Sequence, residues 1–219
     1  AVRLVEALAA GGDPLGGPGV VGRTGAGPPA ELLADLAGLP GQDPAGLDLG
    51  RYLRGGGALG VQTRRGCALA CVYCAYPALE GRTYRLRPAE EVAGEVERLQ
   101  RQTGCRHFYF TDSAFNFPPA HAMAVSEALI RRGVRIGWEA YVNPLGLDLE
   151  LARVMRRAGC VGLELGLDSA SEVMLEALGK VFDQARIARA AAALAEAGLP
   201  FAASLLFGGP GETRATALE

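Results

Sequence analysis

Four glycines, each between a helical pattern and an apolar run, constrain the fold of this chain more than any other feature. They occur at Gly104-Cys105, Gly133-Val134, Gly159-Cys160 and Gly198-Leu199. Glycine just past a helix end adopts the left-handed conformation at little cost. Each of these junctions therefore predicts the end of a helix followed by the start of a strand.

Strands and helices are predicted to alternate from residue 57 onward. The strands are expected at about 57–63, 106–111, 134–142, 160–167 and 200–207, and the helices at about 88–103, 119–132, 149–158 and 184–197. Asp148 and Asp183 are favourable N-caps, and Ser169 with Glu172 predicts a capping box for a short helix at 170–178. Repeated strand–helix units indicate a parallel α/β sheet, in which ligands bind at the carboxyl ends of the strands.

The first sixty residues differ in composition from the rest of the chain. Gly and Pro occupy 22 of these 60 positions but only 22 of the remaining 159. The segment is predicted to contain a helix at Val2–Ala10, a Gly/Pro-rich connector and a second short helix at Pro29–Gly38. Its apolar content is too sparse for a core of its own, which indicates a linker or the end of another domain.

Composition excludes several classes of protein. With 49% hydrophobic and 21% charged residues, the chain has enough apolar surface to form a core, which argues against general disorder. A net charge of −2 gives no support to nucleic-acid binding through bulk charge. No apolar run approaches the roughly 18 residues that a membrane-spanning helix needs.

Cysteine spacing carries the strongest chemical signal. Cys67, Cys71 and Cys74 form a C-x3-C-x2-C loop after the first predicted strand. Thiolates suit zinc, copper(I) or iron–sulfur clusters, and a structural zinc site would need a fourth ligand that the neighbouring sequence lacks. Three ligands leave one coordination position open, and the spacing indicates a reducing, cytoplasmic compartment. Cys105 and Cys160, at strand starts, are predicted to be small buried hydrophobes.

The cysteine loop, with Tyr73 before its last cysteine, resembles that of the radical S-adenosylmethionine (radical SAM) enzymes. The resemblance implies a partial (β/α)6 TIM-like barrel over residues 57–219, truncated before the sixth strand. It also implies that Cys67, Cys71 and Cys74 hold a catalytic 4Fe–4S cluster that cleaves S-adenosylmethionine reductively to a 5′-deoxyadenosyl radical. A reductant such as flavodoxin or ferredoxin and a small-molecule substrate are the implied partners.

Three further segments resemble the cofactor-binding parts of that family. They imply cofactor contacts for Asp168 and Ser169 in the fourth strand segment, for Gly208, Gly209 and Pro210 after the fifth, and for Tyr73 in the cysteine loop. After the second strand, Asp112 and Ser113 stand where many members carry Gly-Gly-Glu, and either residue is a candidate substitute. Glu139 and Tyr141, on one face of the third strand, are candidate substrate contacts, although packing or ion pairing would explain them equally well.

A narrower resemblance concerns the cobalamin-dependent branch of the family, many of whose members methylate unactivated carbon. It rests on residues 62–66, 76–87 and 112–116, and it implies that residues 1–56 end a preceding Rossmann-like cobalamin domain. The basic block of Arg82, Arg85 and Arg87 fits either an anion contact or a solvated face. Two alternatives stay open: a radical enzyme of another type (rearrangement or RNA modification), and a non-catalytic metal-binding module.

Overall fold

The computed structural model describes residues 2–219, apart from the side chains of Val2, Arg3 and Pro14. The chain divides into two compact units between Ala34 and Asp35. The first unit contains helix α1 (Val2–Ala9) and a 3₁₀ turn (Pro14–Gly16). Helix α1 confirms the helix predicted at the start of the chain.

The second unit carries the repeated strand–helix pattern. Its helices are α2 (Leu49–Arg54), α3 (Tyr76–Glu80), α4 (Ala89–Thr103), α5 (Pro119–Arg131), α6 (Leu149–Arg157), α7 (Glu172–Ala177), α8 (Gln184–Glu196) and α9 (Arg214–Ala217). Its strands are β1 (Leu59–Val61), β2 (Arg64–Arg65), β3 (Arg85–Leu86), β4 (His107–Phe110), β5 (Gly137–Val142), β6 (Cys160–Asp168) and β7 (Phe201–Leu205). No helix within residues 2–219 combines the length and apolar character needed to cross a membrane.

Five strands form one parallel sheet in the order β1-β4-β5-β6-β7. Strand order follows chain order and the intervening helices cover one face, as the repeated pattern predicts. Within the described residues β1 and β7 each pair with one strand of this sheet, so the sheet is open. The predicted partial-barrel architecture is confirmed. A separate two-stranded antiparallel ribbon joins β2 to β3, and sequence analysis did not predict it.

The glycines at the helix ends have the backbone conformation that the sequence predicts. Gly104, Gly133, Gly159 and Gly198 have φ angles of 71°, 65°, 97° and 66°. These left-handed conformations end α4, α5, α6 and α8 and turn the chain toward the next strand. The predicted N-caps are also present, since the carboxylates of Asp148 and Asp183 accept backbone N–H groups of the first turn.

The core lies between the sheet and its helices. Along β5, Trp138 and Ala140 are buried, whereas Glu139 and Tyr141 on the opposite face are half-buried. The Trp138 ring lies 5.0 Å from that of Phe110 and 5.1 Å from that of Phe115, measured between centroids. Period-two alternation thus separates a packed aromatic face from a polar face that is available for a site.

The second short helix predicted in the first sixty residues was wrong. Residues 29–38 form no helix, because Leu36 is buried while Leu32 and Leu33 are about half exposed, so no continuous apolar face packs there. The predicted connector instead contains α2, which Asp48 caps by accepting a hydrogen bond from the Arg51 N–H. The assignment of residues 1–56 to the end of a preceding domain stays a prediction.

The capping box predicted from Ser169 and Glu172 was also wrong. Ser169 follows directly on β6, and its hydroxyl accepts a hydrogen bond from the Ser171 N–H at 3.1 Å. A capping box would make Ser169 the N-cap and Ala170 the first residue of the helix. Helix α7 begins instead at Glu172, with Ser171 as its N-cap. The Glu172 carboxylate accepts the Gln184 N–H instead. Ser169 therefore shapes the turn between strand and helix.

Candidate cluster and cofactor site

A cavity of about 210 Å³ lies under the cysteine loop, at the carboxyl ends of β5 and β6. It brings together residues from separate parts of the chain. Its lining comprises Cys67, Leu69, Cys71, Tyr73, Cys74, Tyr76, Ser113, Ala114, Tyr141, Val142, Asn143, Gly166, Asp168 and Lys180. One space is thus surrounded by the three cysteines of the loop and by three other predicted site residues, Tyr73, Ser113 and Asp168. It lies where the sheet topology predicts ligand binding.

Backbone hydrogen bonds hold the cysteine loop at two points. The Cys67 N–H donates to the Gly81 carbonyl at 3.0 Å, and the Val72 N–H donates to the Leu178 carbonyl at 3.1 Å. Cys67 is buried, whereas Cys71 and Cys74 are half-buried. All three are free thiols. The two backbone hydrogen bonds fix the loop that carries them.

Three free thiols around one cavity are the type of donor set that holds an iron–sulfur cluster. Within residues 2–219 no group of three His, Cys, Asp or Glu side chains is close enough to hold one metal ion. The ligands of a single zinc converge to about 2.3 Å from it. In a 4Fe–4S cluster each thiolate binds a different iron, so the cysteines stand farther apart.

The electrostatic surroundings of Cys71 confirm that the loop and the cavity wall are close together. Burial raises the pKa of the Cys71 thiol, and the ammonium group of Lys180 acts in the opposite direction. The Cys74 and Cys67 thiols also raise this pKa. The Asp168 carboxylate raises it as well, so Lys180 only partly offsets the rise in the Cys71 pKa.

Asp168, Tyr73 and Lys180 form a network in the cavity wall. The Asp168 carboxylate forms an ion pair with Lys180 and accepts a hydrogen bond from the Tyr73 hydroxyl. The Lys180 ammonium also lies 3.1 Å from the Tyr73 oxygen. Asp168 has a φ of 66°, in a region that residues other than glycine rarely adopt. Such backbone strain is common where a side chain must be directed into a functional site.

Lys180 was absent from the set of site residues predicted from sequence. It is the single lysine of the chain, and its side chain is 96% buried, with a relative exposure of 4%. A buried lysine is retained where its charge is paired, here by Asp168. The signal in the sequence was its residue type, since it is the one lysine among the 22 Lys and Arg residues.

Asp112 and Ser113, predicted as alternatives, have different positions. Asp112 is buried and outside the cavity lining, and its carboxylate accepts hydrogen bonds from the Thr63 N–H, the Thr63 hydroxyl and the Arg64 N–H. Burial raises the pKa of Asp112, and these hydrogen bonds oppose the rise. Ser113 lines the cavity. The structure therefore places Ser113 next to the cysteines and gives Asp112 a supporting contact with the chain before them.

Replacing Asp112 with Ala is expected to lower the free energy of unfolding by about 3 kcal/mol, because three buried donors lose their acceptor. Urea denaturation followed by circular dichroism measures the change. Asp112→Asn, which keeps an acceptor oxygen, should lose less than half as much. An Asp112→Ala variant with an unchanged midpoint would contradict this supporting role.

Arg64 was missed as a site residue and is almost completely buried, at 1% exposure. Its guanidinium donates to the Gly66 carbonyl at 2.6 Å and to the Ala114 carbonyl at 3.1 Å. It also donates to the Ser113 hydroxyl at 3.1 Å. Arg64 therefore ties the start of the cysteine loop to the segment after β4. A single sequence gives no signal for this role, because arginines are usually exposed.

The arginines at 82, 85 and 87 do not form a single patch. Arg87 forms an ion pair with the buried Glu95 at 2.6 Å and donates to the Gln62 carbonyl at 2.8 Å. Arg82 is exposed, whereas Arg85 donates to the Glu80 carbonyl. At Arg87, neither the anion contact nor the solvated face that the sequence suggested is correct, because an internal carboxylate neutralises it.

The glycine-rich segment after β7 lies outside the lining of the cysteine cavity. Gly208 has a φ of 85°. A Cβ at Gly209 would lie 2.7 Å from the Met174 side chain, so this glycine permits close packing against α7. Pro210 and Ser169 also lie outside the lining. The contacts of these four residues with a cofactor stay predictions.

Tyr141 and Glu139 lie on the polar face of β5 but line different cavities. Tyr141 lines the cysteine cavity, and its hydroxyl lies 3.0 Å from the Ser204 hydroxyl, which donates to Glu164 at 2.8 Å. Glu139 lines a second cavity of about 340 Å³ and pairs with His107 at 3.6 Å. Of the two candidate substrate contacts, Tyr141 is therefore the one beside the cysteines.

Comparison with known proteins identifies relatives that share the fold and part of the sequence. The chain is 31% identical over 190 residues to the tryptophan 2-C-methyltransferase of Streptomyces laurentii, covering 80% of this chain and 31% of that protein. It is 28% identical over 188 residues to an uncharacterized methyltransferase of Pyrococcus horikoshii, covering 85% and 41%. The chain thus spans less than half the length of these relatives.

A solved structure agrees over almost the whole chain. TsrM from Kitasatospora setae, a radical S-adenosylmethionine methyltransferase solved with cobalamin and a [4Fe–4S] cluster, superposes with a TM-score of 0.84 at 27% identity, covering 98% of this chain and 45% of that one. Residues 61–219 also match the Radical SAM superfamily as a family. This match includes the cysteine loop and every strand of the parallel sheet except the first two residues of β1. The chain belongs to the radical SAM superfamily.

Proposed function

We propose that this chain is the radical SAM core of a cobalamin-dependent enzyme that methylates an unactivated carbon of a small molecule. The observation that carries the proposal is the convergence of three free thiols and the Lys180–Asp168 pair on one cavity at the carboxyl ends of parallel strands. Because the chain spans less than half of its relatives, the activity is proposed for a longer protein that contains it.

The relatives support the methyltransferase branch. Both curated relatives described above are named methyltransferases. TsrM has been solved with cobalamin and a [4Fe–4S] cluster, and a second structure contains its tryptophan substrate and an S-adenosylmethionine analogue. By extension, the cofactors proposed here are a 4Fe–4S cluster, S-adenosylmethionine and cobalamin. Residues 1–56 are proposed to end the domain that binds cobalamin.

The residues of the cavity have distinct proposed roles. Cys67, Cys71 and Cys74 hold the cluster, which when bound supplies the electron for cleavage of S-adenosylmethionine. Lys180 offers a cation to the carboxylate of that cofactor, and Asp168 offers a carboxylate to its amino group or ribose hydroxyls. Because these side chains neutralise each other without the cofactor, the buried pair is kept stable until a ligand provides replacement partners.

The remaining cofactor contacts and partners are proposed on weaker support. Ser113 and Tyr73 line the cavity and are proposed to contact S-adenosylmethionine directly. Ser169 and the Gly208–Pro210 segment are proposed to contact it from the ends of β6 and β7. Asp112 is proposed to act by holding Arg64. A reductant such as flavodoxin or ferredoxin and a cytoplasmic location complete the proposal.

The proposal is tested by the products of turnover. The full-length protein, reconstituted anaerobically and supplied with reductant, hydroxocobalamin and a pool of candidate substrates, should consume two S-adenosylmethionine molecules for each methylation. Chromatography should detect one 5′-deoxyadenosine and one S-adenosylhomocysteine for each methylated product. Omitting hydroxocobalamin is expected to abolish methylation.

Other outcomes separate the levels of the proposal. Deoxyadenosine formed without cobalamin dependence and without S-adenosylhomocysteine would contradict the methyltransferase reaction and favour another radical reaction. Methylation with S-adenosylhomocysteine but no deoxyadenosine would contradict the radical step and retain cobalamin-dependent transfer. About one zinc with no sulfide in the reconstituted protein would instead support a metal-binding module.

A further inference from the structure

Asn143 directly follows β5 and belongs to the lining of the cysteine cavity, as does Tyr141 two positions earlier. The residue is buried, with a relative exposure of 8%. Polar groups buried to this degree usually have hydrogen-bond partners within the protein. The partners of each polar atom of Asn143 therefore show whether any of them is left for a ligand.

The Asn116 side chain holds the backbone of Asn143 on both sides. The Asn143 N–H donates to the Asn116 amide oxygen at 2.8 Å, and the Asn116 amide nitrogen donates to the Asn143 carbonyl at 2.8 Å. Asn116 is itself completely buried and also donates to the Leu145 carbonyl at 3.3 Å. This reciprocal pair fixes Asn143 against the segment that follows β4, and it occupies both backbone polar groups of Asn143.

One half of the Asn143 side-chain amide is also occupied. Its oxygen accepts a hydrogen bond from the Leu145 N–H at 2.8 Å, in a turn that asparagine commonly forms. Because a backbone N–H can only donate, the oxygen and not the nitrogen must face Leu145. The amide nitrogen carries two N–H donors and has no hydrogen-bond partner within the part of the chain that the structure describes. It is therefore the one polar atom of Asn143 left for a ligand.

We infer that the Asn143 amide nitrogen donates a hydrogen bond to an oxygen atom of the molecule bound in the cysteine cavity, either S-adenosylmethionine or the substrate. The inference rests on the proposed function, because it requires a ligand beside the thiols. An amide nitrogen donates and does not accept, so it selects a carboxylate, hydroxyl or carbonyl oxygen over an ammonium group. A buried donor without a partner is unfavourable, and an oxygen of the ligand provides that partner. Asn143 is thus a binding residue whose position Asn116 fixes before the ligand arrives.

Asn143→Asp tests the donor without removing the turn. One aspartate oxygen still accepts the Leu145 N–H, while the atom left for the ligand becomes an acceptor. Variant and parent are compared as full-length proteins after anaerobic reconstitution, at equal iron and sulfide content and at a pH where the new carboxyl group is ionised. If S-adenosylmethionine supplies the oxygen, equilibrium dialysis should give a dissociation constant about tenfold higher in the variant, the loss of one hydrogen bond. Gln100→Glu is the matched control, because it makes the same amide-to-carboxylate change at an exposed contact with the Arg135 carbonyl.

The two sources of the oxygen give different results. If the substrate supplies it, S-adenosylmethionine should bind equally well to both proteins and 5′-deoxyadenosine should still form. The rate of methylation of the same substrate pool should then fall about tenfold in the variant. Unchanged affinity for S-adenosylmethionine together with an unchanged methylation rate would overturn the inference.

A second measurement covers a variant that fails to fold or to hold its cluster. In a crystal structure of the parent with S-adenosylmethionine and a substrate found in the turnover experiment, an oxygen atom of one of them should lie within hydrogen-bonding distance of the Asn143 amide nitrogen. A complex without such an oxygen overturns the inference and leaves the proposed function standing. A parent protein that binds no iron, sulfide or S-adenosylmethionine overturns the proposed function, and the inference fails with it. The two failures are therefore distinguished in the parent protein alone.

Discussion

Replacement of Cys67, Cys71 or Cys74 with Ala is expected to reduce cluster binding to background, because each thiolate supplies one of three protein ligands. The three sulfur atoms line one cavity, and no other cysteine belongs to that lining. With two ligands the cluster would expose a second iron to solvent. Iron and sulfide analysis, together with the visible iron–sulfur absorption of the reconstituted protein, measures the loss.

Cys105→Ala and Cys160→Ala are the matched controls for this experiment. Both residues are buried, at 4% and 0% exposure, and they pack at the start of the strand segments, as the sequence predicted. Burial raises the pKa of Cys160 to about 12, so its thiol stays protonated at neutral pH. Both variants should keep a full cluster. Loss of the cluster in Cys105→Ala would show that the set of three ligands is wrong.

Gly66→Ala is expected to disrupt the cysteine loop and to lower the free energy of unfolding by about 4 kcal/mol or more. Gly66 has a φ of 86°, and its Cβ would lie 2.1 Å from the Thr83 oxygen and 3.2 Å from the Gly81 oxygen. These are backbone atoms of a paired ribbon, which cannot move aside as the end of a flexible side chain could. Iron content after reconstitution and urea denaturation measure the two effects.

Gly104→Ala separates the steric clash from the backbone strain. Gly104 has a similar left-handed conformation, with a φ of 71°, but no atom lies within 4 Å of its Cβ position. This variant should lose only about 1 kcal/mol, the cost of the left-handed conformation, and should bind a full cluster. If both variants lose the same stability and both retain the cluster, the close approach at Gly66 has no influence on the site.

The parallel sheet could be predicted because each of its signals is local. A glycine such as Gly159 takes its left-handed conformation for reasons set by the adjacent helix and strand, and Asp148 caps a helix that begins at the next residue. The cysteine loop is similarly local, since its three thiols lie within eight positions. Local spacing therefore predicted the alternation of strands and helices in a parallel sheet, with the thiols at the carboxyl end of its first strand.

The supporting parts of the site depend on contacts between distant residues and could not be predicted. Asp112 binds Thr63 and Arg64 across about fifty positions of sequence. Lys180 reaches Tyr73 from 107 positions away. The β2–β3 ribbon pairs segments of two residues each, too short for a periodic pattern. Because the same residue types occur commonly on exposed surfaces, only the folded chain distinguishes these roles.

The buried aromatic cluster also gives this protein a built-in optical reporter. Trp138 is the only tryptophan of the chain, it is fully buried, and its indole N–H donates to the Ala158 carbonyl at 3.0 Å. Its fluorescence should be blue-shifted in the native state and should move to longer wavelength when the sheet separates from its helices. Trp138 faces away from the cysteines. Its emission, measured on cluster-free samples, therefore reports whether the sheet is intact, whether or not a variant can bind the cluster.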